Sequence, residues 1–213
     1  QHEMKIKFLG TSDGFGIPSL FCNCEICKNA KTNKKKDLRT PSQILINEDL
    51  LIDFPPQSLC HQNTFDVDFS KIKSLLITNN SPSKLHPQSL ISGSADNISH
   101  PLSPIQIFGS MPTIDLILET LRKSVVNNQN RWILNETAPF RQYIIDDYKV
   151  TPLKANYEFR SYPYLYDIEA QCGKRILLAY SAGKFLKETT DYLNKTCPHY
   201  NLVILDCTEP YGK

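Results

Sequence analysis

The order of short apolar runs restricts the fold of this chain more than any other feature. Ten of them read as strands: Lys5–Leu9, Ile44–Ile46, Leu50–Ile52, Ser74–Thr78, Ile105–Gly109, Tyr143–Ile145, Lys149–Pro152, Tyr162–Ile168, Arg175–Ala179 and Leu202–Asp206. Asn47-Glu48-Asp49 separates two of these runs by a short polar loop, which predicts a hairpin. Two helices are predicted. Pro112-Thr113 opens the first, with Ile114, Ile117, Leu118, Leu121 and Val125 on one face; the second covers Gly183–Lys195 and turns Phe185, Leu186, Thr189 and Leu193 inward. Residues 79–104 are rich in turn formers and read mostly as loop. The strands come in meander, the helices come late, and strand and helix do not alternate strictly. A layered α/β architecture with sheet packed on sheet fits that order; a doubly wound parallel sheet does not.

With 213 residues, 40% hydrophobic and 22% charged, the chain supplies one well-buried core and too little material for two. Residues 4–213 therefore read as a single domain, and residues 1–3 as a tag remnant or an unstructured start. No apolar run approaches the roughly 20 residues that cross a bilayer, and no basic segment leads into an apolar one as in a secretory signal. A cytoplasmic protein without a membrane partner is expected. Seven cysteines, an odd number, argue for reduced thiols rather than a disulfide framework. The net charge of +2 selects no class of partner. Lys28, Lys31, Lys34, Lys35, Lys36 and Arg39 form a local basic run, but without interleaved aromatic residues it reads as a solvated loop, and nucleic acid is a poor fit.

Cys22, Cys24 and Cys27 fall within six residues. A tight turn at that spacing brings three thiolates around one tetrahedral Zn²⁺, with bonds of about 2.3 Å, and fixes the loop. A closed structural site takes a fourth ligand. None is adjacent in sequence, so Cys60, His61, His199 and Cys207 are the candidate donors. A thioredoxin-like redox role lacks its β-α-β setting.

Phe8-Leu9-Gly10-Thr11, Gly16-Ile17-Pro18 and the three cysteines together resemble the start of a metallo-β-lactamase subfamily, that of the cyclic phosphate phosphodiesterases. The similarity continues through Lys36–Thr40, Leu51–Phe54, Leu75–Thr78, Pro87–Leu90, Val150–Ala155, Gly183–Phe185 and Leu205–Thr208, in family order. It implies a four-layer αββα sandwich, short at the C-terminal end relative to the family. It also implies a site for two metal ions at one edge, where a bridging hydroxide attacks phosphorus or carbonyl carbon.

The family's ligand run, His-x-His-x-Asp-His, follows the strand that ends in Thr. Here Thr78 is followed by Asn79-Asn80-Ser81-Pro82-Ser83-Lys84, so Asn79, Ser81, Ser83 and Lys84 stand at the ligand positions. By the same resemblance Tyr157 replaces a histidine, Ser181 a bridging aspartate, and Lys213 the last ligand histidine; a further histidine beyond it would be the fourth zinc-knuckle ligand. Amides and hydroxyls hold divalent ions poorly, and an ammonium repels them. Without metal, a cleft water keeps a pKa near 15.7 and yields no hydroxide at neutral pH. Asp53 remains from the family pattern, followed by Phe54 and by Pro55 where the family has glycine; it reads as a strand-end hydrogen-bond acceptor rather than a base. His86 and His100 read as exposed and outside the ligand register.

The expectation is an inactive protein of this fold, a pseudoenzyme without catalytic residues or a catalytic metal pair. It keeps one structural Zn and a relic cleft lined by Asn79, Ser81, Ser83, Lys84, Tyr157 and Ser181. Such a lining suits a small anion; a protein partner or a homodimer is also compatible with it. The competing reading is a metal-dependent, phosphodiesterase-like hydrolase with a rebuilt metal site.

Overall fold

The computed structural model describes residues 3–94, 98–99, 103–125, 130–156, 162–180 and 183–206. Six strands form the first sheet in chain order: β1 (Ile6–Gly10), β2 (Gln43–Ile46), β3 (Leu50–Ile52), β4 (Ser74–Leu76), β5 (Ile105–Gly109) and β6 (Trp132–Glu136). β1, β2 and β3 pair antiparallel, and β3 to β6 pair parallel. The second sheet holds β7 (Tyr143–Ile145), β8 (Tyr148–Lys154), β9 (Tyr164–Ala170), β10 (Arg175–Ala179) and β11 (Leu202–Leu205) in the order β11-β10-β9-β8-β7, and only β10–β11 is parallel. The β2–β3 hairpin turns on Asn47 and Glu48, both at positive φ, with Asp49 N–H bonded to Ile46 O. Positive φ at both central residues of a turn closed in this way follows the twist of the flanking strands, and asparagine tolerates it well.

Alternating side chains explain why the strands read as unbroken apolar runs. Ile44, Ile46, Leu50, Ile52 and Leu76 face the second sheet and pack with Val150, Tyr166, Ile168, Ile176 and Leu178. Their neighbours Leu45, Leu51, Leu75 and Ile77 face outward with Leu85, Leu90 and Ile117. On the second sheet Leu153, Leu165, Leu177 and Ala179 face outward with Phe185, Tyr192 and Leu193. Both sheets are thus covered on both faces, and the αββα layering follows. The helices are α1 (Glu25–Asn33), α2 (Ser58–Phe65), α3 (Gln88–Ser92), α4 (Met111–Lys123) and α5 (Lys187–Thr196). None is long and apolar enough to cross a membrane among the described residues.

Four core tyrosines of the second sheet fix its register on the first by donating across the interface. Tyr148 donates to Asp49 Oδ1, Tyr164 to Thr137 O, Tyr166 to Ile77 O and Tyr180 to Asp53 Oδ2, at 2.7, 2.7, 2.7 and 2.8 Å. Within the second sheet Arg175 holds buried Asp167 through two bonds of 2.7 and 2.6 Å. Arg175→Met strands that carboxylate and is expected to lower the unfolding free energy by about 3 kcal/mol or more in urea titrations. Adding Asp167→Leu is expected to recover most of the loss.

The sequence reading misses β6 and three helices. Residues 79–104, read mostly as loop, contain α3, and the cysteine loop runs directly into α1. The second predicted helix begins at Lys187 rather than Gly183, and Val125 lies beyond the end of α4 and is exposed.

Candidate functional site

Because β1 and β3 to β6 point the same way, the loops that follow β1, β3 and β4 meet at one edge of the sandwich. Asp53, just past β3, is the centre of that edge. It is wholly buried and sits at φ +64, a left-handed conformation that aspartate tolerates better than most residues. Its Oδ1 accepts from Thr78 N–H at 2.7 Å, both oxygens accept from the Thr78 hydroxyl at 2.9 Å, and Oδ2 accepts from Tyr180. The carboxylate therefore clamps β3 to β4 and the first sheet to the second. Burial pushes its pKa up, while the Lys84 ammonium, the Thr78 amide and the Tyr180 hydroxyl pull it back.

Residues 79–84 form a tight turn against this clamp. Asn79 Oδ1 accepts from Ser81 N–H at 2.9 Å, and the Ser81 and Ser83 hydroxyls lie 3.2 Å apart. Lys84 is pinned through its backbone: its N–H donates to Ser81 O, and its carbonyl accepts from Phe54 N–H. The side chain is only 4% exposed, with Nζ 4.5 Å from the centroid of the Tyr180 ring. Burial lowers the Lys84 pKa, and the negative charges of Asp53, Asp206 and Asp13 raise it. Beside Lys84 opens a cleft of about 690 Å³, walled by Thr11, Ser12, Asp13, Arg39, Tyr180 and Asp206 among others. The glycine-punctuated loop after β1 forms one wall. Gly10 there lies so close to Pro41 that a Cβ would be 2.0 Å from its carbonyl oxygen.

No protein-family model matches the chain, and no curated protein sequence matches it. Solved structures match over most of its length. Zn²⁺-bound PqqB from Methylobacterium extorquens superposes with a TM-score of 0.71 at 16% identity, over 96% of this chain and 72% of that one. YhfI from Bacillus subtilis, a metallo-β-lactamase-fold protein, gives 0.65 at 13% identity over 94% and 70%. The chain has the metallo-β-lactamase fold. A diphosphatase of the PhnP family matches similarly, with a TM-score of 0.69 at 12% identity over 90% of this chain and 70% of that one. Identities this low speak for the fold and not for the chemistry.

The residues behind Thr78 do not fit the pair of ions that the sequence resemblance implies for a metallo-β-lactamase fold. Asn79 spends its oxygen on the turn, Ser81 and Ser83 offer neutral hydroxyls, and Lys84 brings a cation. Among the described residues, the one group of three or more His, Cys, Asp or Glu side chains able to share an ion is Cys22, Cys24 and Cys27. Of the expected cleft residues, Lys84 lines the opening, whereas Asn79, Ser81 and Ser83 are not among its walls. Tyr157, Ser181 and Lys213 lie outside the described residues, as does His100. His86 is half-buried rather than exposed, its Nδ1 2.8 Å from Ser89 Oγ. The sequence reading misses Tyr180, Arg39, Asp13 and Asp206. Tyr180 directly precedes Ser181, and Arg39 lies inside the Lys36–Thr40 motif, so both had a positional signal.

The three cysteines fit one zinc. Their sulfurs lie within 4.8 Å of one another, and tetrahedral bonds of about 2.3 Å place sulfurs roughly 3.8 Å apart. Cys24 caps α1 and Cys27 is in its first turn, so the sequence places two ligands at a helix start. The Cys27 amide and the neighbouring Cys22 and Cys27 thiols lower the Cys24 pKa to about 7. Cys27 Sγ accepts from Ser19 N–H at 3.4 Å, and Lys31 Nζ donates to Cys22 O, tying the loop to the helix. Cys60, His61 and His199 do not join the group. The His61 ring nitrogens lie 2.7 Å from Gln43 Oε1 and 2.7 Å from Thr40 Oγ1, so that ring is already committed. Cys207 lies outside the described residues.

Proposed function

We propose that this chain is a metal-free counterpart of the two-metal hydrolases of its fold. It keeps a structural zinc at Cys22, Cys24 and Cys27, has no hydrolytic activity, and binds a small anion in the cleft beside Lys84. The observation that carries this reading is the residue at the old ligand position: a buried ammonium stands where a metal ligand is expected, at the floor of a cleft that also presents Arg39. Thr11 lines the same opening, as do Ser12, Ser19 and Ser42, whose hydroxyls donate to the backbone carbonyls of Asp13, Gly16 and Ser12. The chemistry available there is binding and orientation.

Titration calorimetry with inorganic phosphate and with sulfate tests the binding. One site per chain is expected, weakened by added salt and at least about tenfold weaker in Arg39→Ala. Assays with an aryl phosphodiester, with zinc or manganese added, are expected to give no turnover above buffer. Turnover that needs the added metal would sink the reading, and so would heat-silent titrations with both anions.

A further inference from the structure

We infer that Lys84 is a tethered cation which takes over the charge of the missing metal, with Asp53 as its internal counter-charge and Tyr180 as the link between them. The inference rests on the metal-free reading of the cleft and extends it to what holds the site together. A lysine ammonium buried to this degree is costly unless opposite charge or a polarisable face surrounds it. The turn that carries it supplies neither, since Asn79, Ser81 and Ser83 are neutral and bonded to one another or to the turn. Compensation comes from elsewhere in the chain. The Tyr180 ring lies under Nζ at 4.5 Å, the hydroxyl of that same ring donates to Asp53 Oδ2 at 2.8 Å, and Asp206 and Asp13 add negative potential from the cleft side.

The converse holds for Asp53. A wholly buried carboxylate with three hydrogen-bond donors still needs a cation to stay ionised, and Lys84 is the cation that acts on it most strongly. The groups that face this pair are the Thr78 hydroxyl and amide, the Tyr180 and Tyr166 hydroxyls, Asp206 and Asp13. In the two-metal site that the resemblance implies, bound ions would supply positive charge toward an anion. Lys84 repeats that arrangement with a covalently attached charge, which cannot be chelated away and cannot make hydroxide.

A two-background experiment tests this. Lys84→Met keeps the length and apolar stem of the side chain and removes the charge. In the otherwise native protein at pH 8 it is expected to lower Tm by about 3–8 °C, because Asp53 is left ionised without its cation. In an Asp53→Asn background the same substitution is expected to raise Tm, because there it removes a buried ammonium that has lost its buried counter-charge and keeps only Asp206 and Asp13 on the cleft side. Equal shifts in both backgrounds would overturn the inference. Phosphate titrations of the same proteins read the anion site separately. Asp53→Asn, which frees the ammonium from its internal partner, is expected to bind phosphate several-fold more tightly. A protein that binds no anion yet shows the opposite-signed Tm shifts would refute the proposed ligand and leave the tethered cation standing.

Discussion

Asp53→Ala is expected to be the most damaging single substitution in the described core, costing about 4 kcal/mol or more of unfolding free energy in urea titrations. Three buried donors lose their acceptor at once: the Thr78 amide, the Thr78 hydroxyl and the Tyr180 hydroxyl. Each unsatisfied buried donor costs about 1–3 kcal/mol. Alanine must also hold φ +64, which costs roughly another 1 kcal/mol. The effect carries a pH signature. Burial raises the folded-state pKa of Asp53 above its ordinary 3.8, so its contribution is fully present below that value and is lost as pH rises through the folded-state value. The gap between wild type and Asp53→Ala is therefore widest below about pH 3.8 and narrows as pH rises above it. A gap that widens with rising pH would mean that Asp53 is stabilised as the carboxylate beyond what Lys84 and the hydrogen bonds supply against burial.

How much of this was readable from the chain depends on which contacts make each element. Leu50-Leu51-Ile52 announces itself because one side chain fills each layer of the sandwich in turn, and a strand covered on both faces has no polar side to interrupt the run. The edge strand β6 lacks that pressure; in Trp132–Glu136 no residue is fully buried, and Asn135 and Glu136 break the pattern. α2 is invisible for a related reason, since only Ser58 and His61 are buried in it and neither is apolar. The site divides in the same way. The replacement of ligands at 79–84 is a local sequence fact, and from it the unusual place of Lys84 was legible. That the Asn79 side chain turns onto the Ser81 amide depends on a turn hydrogen bond that composition does not show. The Asp53–Tyr180 bond joins residues 127 positions apart, and nothing local in either segment points to the other.

The protein as purified is expected to carry one zinc per chain, and Cys27→Ala is expected to carry none. Cys27 is the buried member of the trio, so its loss both opens the coordination sphere and removes the acceptor of the Ser19 amide. The consequence should stay local. The knuckle packs on α1, whose buried residues are only Cys27 and Ala30, while the two sheets are held by their own apolar layers. Hydrogen exchange is expected to quicken at least tenfold over residues 19–33 in Cys27→Ala or after chelation, with the strands unchanged. Elemental analysis settles the stoichiometry, and its other outcome is equally informative. Two or three tightly held ions per chain, or one ion that survives Cys27→Ala, would require ligands at the sandwich edge. An ammonium at position 84 would then be facing a divalent charge in a buried site, an arrangement that Coulomb repulsion at low dielectric does not permit without Lys84 giving up its proton.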